Sequence, residues 1–225
     1  MLDVDGDVPR FVGRGAHKLV AALRVWGPEG LAVAGRRCID VGASTGGFTQ
    51  VLLGEGAERV VAVDVGHGQL VPEIAADPRV VDRSGTTVRG LVADDVGGRG
   101  DLVVADLSFI SLTLVLQDLA GLLAPDGDLV VLVKPQFEVG RGRLSGSGVV
   151  TDPRDRADAV ARVLEVLGEC GLHVRGLLAS PVSGSAGNAE YLVWARRDPS
   201  GTMTRGRLRA AVRAMTTNPS TGGHR

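Results

Sequence analysis

Short apolar runs that end at a charged residue recur along the chain and predict its strands. The first is Cys38-Ile39-Asp40-Val41, which runs directly into a glycine-rich turn. Central strands of a parallel sheet are buried on both faces and therefore have this nearly continuous apolar character. The pattern predicts parallel strands at residues 38–41, 59–64, 79–81, 101–106 and 128–135, and an antiparallel pair at residues 174–180 and 190–196.

Between these runs, apolar residues spaced three and four apart predict helices. Leu19, Leu23 and Trp26 form one face of a helix that begins at Arg14, and Gly27-Pro28 ends it. The same spacing predicts further helices at residues 48–53, 69–76, 108–123 and 152–170. Alternating strands and helices indicate an α/β fold with a mostly parallel sheet.

Charged residues stand at or near the carboxyl ends of several predicted strands. Asp40, Asp64 and Asp106 are acids in this position, and Lys134 follows the wholly apolar run 129–133. Open α/β sheets bind their ligands outside the carboxyl ends of the strands. One charged strand end is usually only solvated, but four on one rim favour a functional site.

The turn at residues 42–47, Gly-Ala-Ser-Thr-Gly-Gly, lets the backbone bend sharply and approach a ligand. Ser44 or Thr45 can cap the helix that follows. A tight turn without a ligand remains an alternative. The turn has neither the dinucleotide-binding spacing nor the Gly-Lys-Ser/Thr of a phosphate loop. With Asp64 available to accept ribose hydroxyls, this pattern favours S-adenosylmethionine, which has a ribose and an adenine but no phosphate.

Composition narrows the class of protein. The 225 residues are 44% hydrophobic, enough for one large domain with a core. A net charge of −1 is not that of a strongly basic nucleic-acid binder. Cys38 and Cys170 lie far apart, so free thiols are favoured over a disulfide, and no metal-ligand spacing is present. An acidic N-terminus and the absence of a long apolar run predict a soluble, cytoplasmic protein without a membrane span.

Three segments leave alternatives open. Arg14 and Lys18 lie four apart on one helix, where a solvated face is the simpler interpretation. The glycine-rich segment 138–151 is a lid or a connector. Residues 196–213 hold six arginines and one aspartate, a local net charge of +5. This cluster either contacts phosphate or forms a solvated helix face.

Read together, the motifs resemble those of the TlyA family, haemolysin-like ribosomal RNA 2′-O-methyltransferases with an FtsJ-type catalytic domain. The resemblance spans residues 8–197 and rests on motifs that occur in the family's order. They are Arg14-Gly15-Ala16-His17-Lys18-Leu19, the segment from Asp40 to Thr49, the segment from Ala105 to Leu112, Val133-Lys134-Pro135-Gln136-Phe137-Glu138, and Asn188-Ala189-Glu190-Tyr191.

This resemblance implies a Rossmann-like class I methyltransferase fold: a mostly parallel seven-stranded sheet, an antiparallel C-terminal strand and helices on both faces. The predicted organisation is an extended lead-in at residues 1–12, the methyltransferase domain at 13–200, and a basic helix with a disordered tail at 201–225. The resemblance also implies a catalytic tetrad, which falls on Lys18, Asp106, Lys134 and Glu190. The implied cofactor residues for S-adenosylmethionine are Gly42, Ser44, Thr45, Gly46, Gly47, Phe48, Asp64 and Asp106.

The expected partner is RNA, in particular ribosomal RNA or a ribosomal subunit. Members of the family usually carry a small N-terminal RNA-binding domain, and this chain begins close to the catalytic helix, so a partner that supplies such a domain is also expected. The segment Ser84-Gly85-Thr86-Thr87 replaces a family pattern with an acid and an asparagine near the adenine. A methyltransferase of a small hydroxylated metabolite and a non-catalytic RNA- or membrane-interacting protein are the alternatives.

Overall fold

A seven-stranded sheet forms the centre of the molecule in the computed structural model, which describes residues 11–217. The strands lie in the order β3-β2-β1-β4-β5-β7-β6. All neighbours among β1 to β5 pair in parallel, and β7 runs antiparallel to both β5 and β6. The strands are β1 Arg37–Val41, β2 Arg59–Asp64, β3 Val80–Ser84, β4 Gly100–Ala105, β5 Leu123–Val133, β6 His173–Ala179 and β7 Tyr191–Arg196.

Helices cover both faces of this sheet, as predicted. One apolar core contains α1, α2 and the sheet residues Val104 and Leu132, while the other contains α4, α6 and the sheet residues Val103 and Val131. Successive strand residues thus point to opposite layers. The helices are α1 Ala16–Trp26, α2 Gly47–Gly54, α3 Pro72–Ala75, α4 Leu116–Gly121, α5 Pro135–Glu138, α6 Pro153–Glu169 and α7 Arg205–Thr217.

The predicted continuous helix at residues 108–123 is wrong. Phe109 has a φ of +63°, which no helix accommodates, and the segment continues as a single 3-10 turn, Leu112–Leu114, before the short α4. The cause is a tertiary contact. The buried Glu138 accepts from the Ser111 hydroxyl and, at 2.8 Å, from the Leu112 amide, which ties this segment to α5.

Strand β5 begins five residues earlier than the apolar pattern predicted, at Leu123 rather than Asp128. Leu123 pairs with Gly100, and the register then shifts before Leu102 pairs with Asp128. The sequence Pro-Asp-Gly at 125–127, which is typical of turns, therefore lies inside an irregular strand. The spacing of apolar residues along β5 does not predict this irregularity, because it arises from the pairing of β5 with Gly100 on β4.

Smaller corrections concern the first half of the sheet. The N-cap of α2 is Gly46, with a φ of +99° and no side-chain cap, so neither Ser44 nor Thr45 caps this helix. β3 extends through polar residues to Ser84 because β2 pairs with it along its whole length. The helix predicted at 69–76 is confined to α3, which has Pro72 at its first position.

The remaining sequence predictions concern the cysteines, membrane and termini. Cys38 and Cys170 are both free, and burial raises the pKa of the Cys38 thiol to about 12. Within residues 11–217, no helix has the length and apolar character needed to cross a membrane. The basic C-terminal helix predicted after residue 200 is present as α7. Residues 1–10 of the lead-in predicted at 1–12, and residues 218–225 of the predicted tail, lie outside the described residues.

Candidate active site

A cavity of about 530 Å³ lies at the carboxyl ends of β1, β4 and β5, where the charged strand ends were predicted to meet. Its walls come from the start of α1, the turn 42–47, the residues after β4 and β5, and the loop before β7. All four members of the predicted tetrad line it: Lys18, Asp106, Lys134 and Glu190.

These four side chains form one continuous ion-pair chain. Lys18 Nζ lies 2.7 Å from Glu190 Oε2 and 3.2 Å from Asp106 Oδ2. The other oxygen of Asp106 lies 2.7 Å from Lys134 Nζ. The side chains of Lys18 and Lys134 are each 9% exposed and that of Glu190 is 2% exposed, so the chain is largely shielded from water. The solvated-face interpretation of Lys18 is therefore wrong.

Strand register explains why residues so distant in sequence meet. Val133 pairs with Tyr191 across the antiparallel β5–β7 ladder, so Lys134 and Glu190 leave the sheet side by side. Asp106 follows Ala105 on the neighbouring strand β4. Lys18, on α1, reaches this rim from the helical layer and bridges the two acids.

Gly42 is required by this geometry. Its φ is +86°, and a Cβ on it would lie 2.7 Å from the backbone oxygen of Asp106. Only glycine adopts this conformation readily while leaving room for the neighbouring chain. The turn 42–47 therefore packs directly against the segment that carries Asp106.

Asp64 supports the turn from the end of β2. Its Oδ2 accepts from the Ser44 amide and its Oδ1 from the Gly66 amide, both at 2.8 Å. Ser44 has a φ of +48°, an unusual conformation that this hydrogen bond supports. A carboxylate has about four acceptor positions, so roughly two remain free for hydroxyl donors.

Asp40, the remaining acid at the strand ends, is fully buried beneath the turn. Thr49 Oγ1 donates to its Oδ2 at 2.7 Å, while Oδ1 has no hydrogen-bond partner among the described residues. Burial raises the pKa of Asp40 to about 7; the Thr49 hydrogen bond opposes this rise and the charge of Asp106 adds to it. Asp40 is thus a support beneath the turn, not a cavity residue.

The predicted cofactor residues are only partly in the cavity wall. Six of them line it: Gly42, Ser44, Thr45, Gly47, Phe48 and Asp106. Gly46 and Asp64 do not. Gly46 is buried against Leu70 and Ile74, whereas Asp64 is connected to the wall through Ser44.

Sequence reasoning missed several residues of this site. Lys134 Nζ donates to Ser108 Oγ at 2.8 Å, which places Ser108 at one end of the ion-pair chain. Ser108 lies beyond the end of β4, where the alternation of strand residues no longer applies, so no pattern in the sequence marks it. Phe109 is 92% exposed at the cavity wall, and its ring lies 5.4 Å from that of Phe137.

Asn188 is a further missed residue, and it fixes the 138–151 loop. Its side chain accepts from the Val150 amide at 2.9 Å and donates to the Gly148 carbonyl at 3.0 Å. Ser147 and Gly148 line the cavity, so the loop does lie beside the site as predicted. Whether it moves as a lid stays a prediction.

The site fits S-adenosylmethionine. The turn 42–47 lets backbone approach a ligand closely, and Asp64 has acceptor positions for ribose hydroxyls. The segment Ser84–Thr87 lies next to it, since the Thr86 amide donates to the Asp64 carbonyl at 2.9 Å. The volume of the cavity is within the range of small-molecule sites, about 300–1,000 Å³.

Comparison with known proteins agrees with this site. FtsJ-like methyltransferases match residues 11–197. The 16S/23S rRNA (cytidine-2′-O)-methyltransferase TlyA of Mycobacterium tuberculosis is 52% identical over 93% of this chain and 77% of its own length. A solved structure from Lactococcus lactis, described as a candidate hemolysin, has a TM-score of 0.85 and 37% identity, and covers 93% of this chain and 100% of that one.

A more distant structure supports the fold. The S-adenosylmethionine-dependent methyltransferase of Mesorhizobium loti has a TM-score of 0.56 at 16% identity, over 79% of this chain and 98% of its own. The fold is thus that of Rossmann-like methyltransferases. Sequence, fold and site together show that this chain belongs to the FtsJ-like methyltransferase family, as an S-adenosylmethionine-dependent enzyme related to TlyA.

Proposed function

We propose that this chain methylates the ribose 2′-hydroxyl of a cytidine in ribosomal RNA. The observation that carries the proposal is the ion-pair chain Glu190–Lys18–Asp106–Lys134 on the wall of the cofactor cavity. The 52% identical relative is a cytidine-2′-O-methyltransferase of 16S and 23S rRNA, and that chemistry requires a site that activates a hydroxyl.

The cofactor, when bound, supplies a methyl group that is already electrophilic. The protein must therefore hold the ribose and deal with the proton of a weakly acidic hydroxyl. In this proposal Lys134 Nζ takes or polarises that proton. Asp106 lies 2.7 Å from Lys134 Nζ and orients it, and Ser108 accepts one of its hydrogens.

Lys18 and Glu190 complete the arrangement. Lys18 lies between the carboxylates of Asp106 and Glu190, so positive and negative groups alternate along the chain. We assign Lys18 and Glu190 the roles of setting the local field and holding the ribose.

The mouth of the cavity suits a nucleobase. Phe109 has the unusual φ of +63° for a non-glycine residue, and this conformation holds its ring in solvent next to Phe137. Such strain at an exposed aromatic suggests a functional constraint. Unstacked bases of RNA bind aromatic rings of this kind. Arg14, exposed on the same wall, has a charge suited to phosphate.

The arginines of α7 extend this basic character. Arg205, Arg207, Arg209 and Arg213 are all exposed, while Val212 packs into the core. These four side chains therefore face solvent, and their contact with RNA phosphate is part of the proposal. A partner that supplies an additional RNA-binding domain also stays a proposal.

We expect Asp64→Ala to weaken S-adenosylmethionine binding by about 10- to 100-fold, because a charged acceptor of hydrogen bonds is lost. Part of this loss comes from the Ser44 and Gly66 amides, which lose their acceptor. Glu58→Ala, at an exposed acid just before the other end of β2, is the matched control. Isothermal titration calorimetry measures both variants. An Asp64→Ala affinity equal to that of the parent would place the cofactor elsewhere.

The function itself is tested with methyl-labelled cofactor and four acceptors: small ribosomal subunits, large subunits, protein-free ribosomal RNA and free nucleosides. We expect label in RNA, on a cytidine whose 3′ phosphodiester resists alkaline cleavage because its 2′-oxygen is methylated. Label in nucleosides alone would instead identify a metabolite methyltransferase. Absence of transfer to every acceptor would refute the proposal.

A further inference from the structure

A second cavity, of about 240 Å³, lies directly beside the active-site cavity. Ser183 and Glu190 line both, so the two cavities share a wall. The second cavity is enclosed by the end of the 138–151 loop, the first turn of α6 and the facing ends of β6 and β7. The proposed methylation mechanism uses none of its other residues.

Arg156 forms part of this wall and carries an unbalanced charge. It is 7% exposed, and its four hydrogen bonds of normal geometry go to neutral backbone oxygens. Nε and Nη2 donate to the Thr216 carbonyl at 3.2 and 2.8 Å, while Nη1 donates to those of Val150 and Thr151 at 3.1 and 2.8 Å. No carboxylate of residues 11–217 pairs with it. Buried charges in proteins are normally paired.

Tyr191 adds a second unused donor. The residue is 0% exposed and belongs to the cavity wall, and its buried hydroxyl makes no hydrogen bond of normal geometry to any described residue. Burial raises the pKa of this phenol, and the charge of Arg156 opposes the rise. The hydroxyl therefore keeps its proton at neutral pH.

Arg156 and Tyr191 together have more hydrogen-bond donors than the acceptors that the described residues offer them. A guanidinium has five N–H groups, and four of those on Arg156 are used. If the fifth donates to the Tyr191 oxygen, the phenol hydrogen still has no acceptor. Buried donors without acceptors cost free energy. A ligand with oxygen acceptors and negative charge would match both the phenol hydrogen of Tyr191 and the charge of Arg156.

The one acid in the wall does not meet this need. Glu190 lies 2.7 Å from Lys18 Nζ, so its charge is already matched on the active-site side. A water molecule occupies about 30 Å³ in the liquid, so the cavity has room for a tetrahedral oxyanion. Ser183 and Thr151 are exposed at its edge, which leaves a path from solvent.

We propose that this cavity is an oxyanion subsite that binds an RNA phosphodiester next to the target ribose, with Arg156 and Tyr191 as its donors. The inference rests on the proposed function, because it assigns the phosphate to the same RNA. A shared wall at Glu190 places this phosphate beside the residue that is proposed to hold the ribose. Free inorganic phosphate has the same chemistry, and the test separates the two sources.

The test compares Tyr191→Phe with the parent enzyme on its methylated RNA. The variant keeps the ring and removes only the hydroxyl. Because this buried hydroxyl has no hydrogen-bond partner, its removal should not lower the thermal midpoint of unfolding. We expect the KM for RNA to rise about tenfold, as for a lost hydrogen bond to a charged acceptor, with kcat nearly unchanged. A merely structural tyrosine would lower the midpoint and leave KM unchanged.

A matched substrate and a matched variant sharpen this result. One substrate replaces the phosphate next to the target ribose by an uncharged methylphosphonate. This change should raise the KM of the parent enzyme. It should raise the KM of Tyr191→Phe, which is already high, very little more. Arg156→Gln should weaken RNA binding at least as much, whereas Arg154→Gln, an exposed arginine outside the second cavity, should not. Inorganic phosphate should compete with RNA in the parent and less in Tyr191→Phe.

The possible results distinguish a failure of the proposed function from a failure of the oxyanion subsite alone. A parent that methylates no RNA refutes the proposed function and, with it, the RNA subsite. A parent that methylates RNA while Tyr191→Phe keeps its KM within twofold overturns the subsite alone. Competition by phosphate without any methylphosphonate effect also overturns it, because the cavity would then bind the free anion and not the RNA.

Discussion

Lys134→Ala is expected to lower the single-turnover rate of methyl transfer by about 10²–10⁴-fold, the typical contribution of a general acid or base. The side chain lies 2.7 Å from Asp106 Oδ1 and donates to Ser108, on the side of the cavity away from Asp64. Cofactor affinity should therefore stay within a few-fold of the parent. Calorimetry and rapid-quench kinetics measure the two quantities separately.

Lys134→Arg distinguishes the two roles that a lysine can have here. Arginine keeps the charge, but its guanidinium stays protonated and cannot accept a proton. If Lys134 is a base, the arginine variant should be as inactive as the alanine variant. If it only supplies a positive field, measurable activity should remain.

Arg24→Ala is the control for these variants, since Arg24 is an exposed cation on α1 that does not line the cavity. Its rate should equal that of the parent. A Lys134→Ala enzyme within a few-fold of the parent rate would contradict the tetrad assignment altogether.

Asp128→Ala is expected to destabilise the fold by about 3 kcal/mol, the lower end of the range for a broken buried ion pair. Asp128 is fully buried and accepts from Arg36 Nη1 and Trp194 Nε1, both at 2.6 Å, while Arg196 Nε lies 3.1 Å away. The side chains of both arginines are about a quarter exposed, so water hydrates part of the charge that loses the Asp128 carboxylate. The thermal midpoint should fall by roughly 6–12 °C.

Denaturant unfolding measures this loss, and activity below the midpoint supplies the contrast with Lys134. Asp128 lies in the middle of β5 and does not line the active-site cavity, so the folded fraction should methylate at the parental rate. Asp128→Asn keeps an acceptor for Trp194 and should lose less stability. An Asp128→Ala midpoint equal to that of the parent would show that the buried cluster contributes nothing.

The sheet and the position of its ligand rim could be predicted from local sequence because each central strand is an apolar run that ends in a charge. Residues 59–64 were predicted with the observed bounds, and Asp106 and Lys134 were predicted at the rim they occupy. The hydrophobic pattern predicts strands correctly where burial on both faces of the sheet restricts a strand to apolar residues. The roles of Lys18 and Glu190 came from family resemblance, since neither stands out by pattern.

The failures occur where distant contacts determine the backbone. The helix predicted after β4 is broken because Glu138, far along the chain, binds Ser111 and Leu112. The early start of β5 depends on Gly100 as a pairing partner. Ser108 carries no periodic signal of its own, and its contact with Lys134 exists only in the assembled rim.

The antiparallel β7 has a consequence for how activity is lost. β7 lies between β5 and β6, and its first pairing, Tyr191 with Val133, is what brings Glu190 to Lys134. The turn 42–47 and Asp64 belong to the opposite half of the sheet and do not depend on that ladder. Local opening of β7 would therefore uncouple hydroxyl activation from cofactor binding, and amide hydrogen exchange in β7 would report catalytic competence more directly than global stability does.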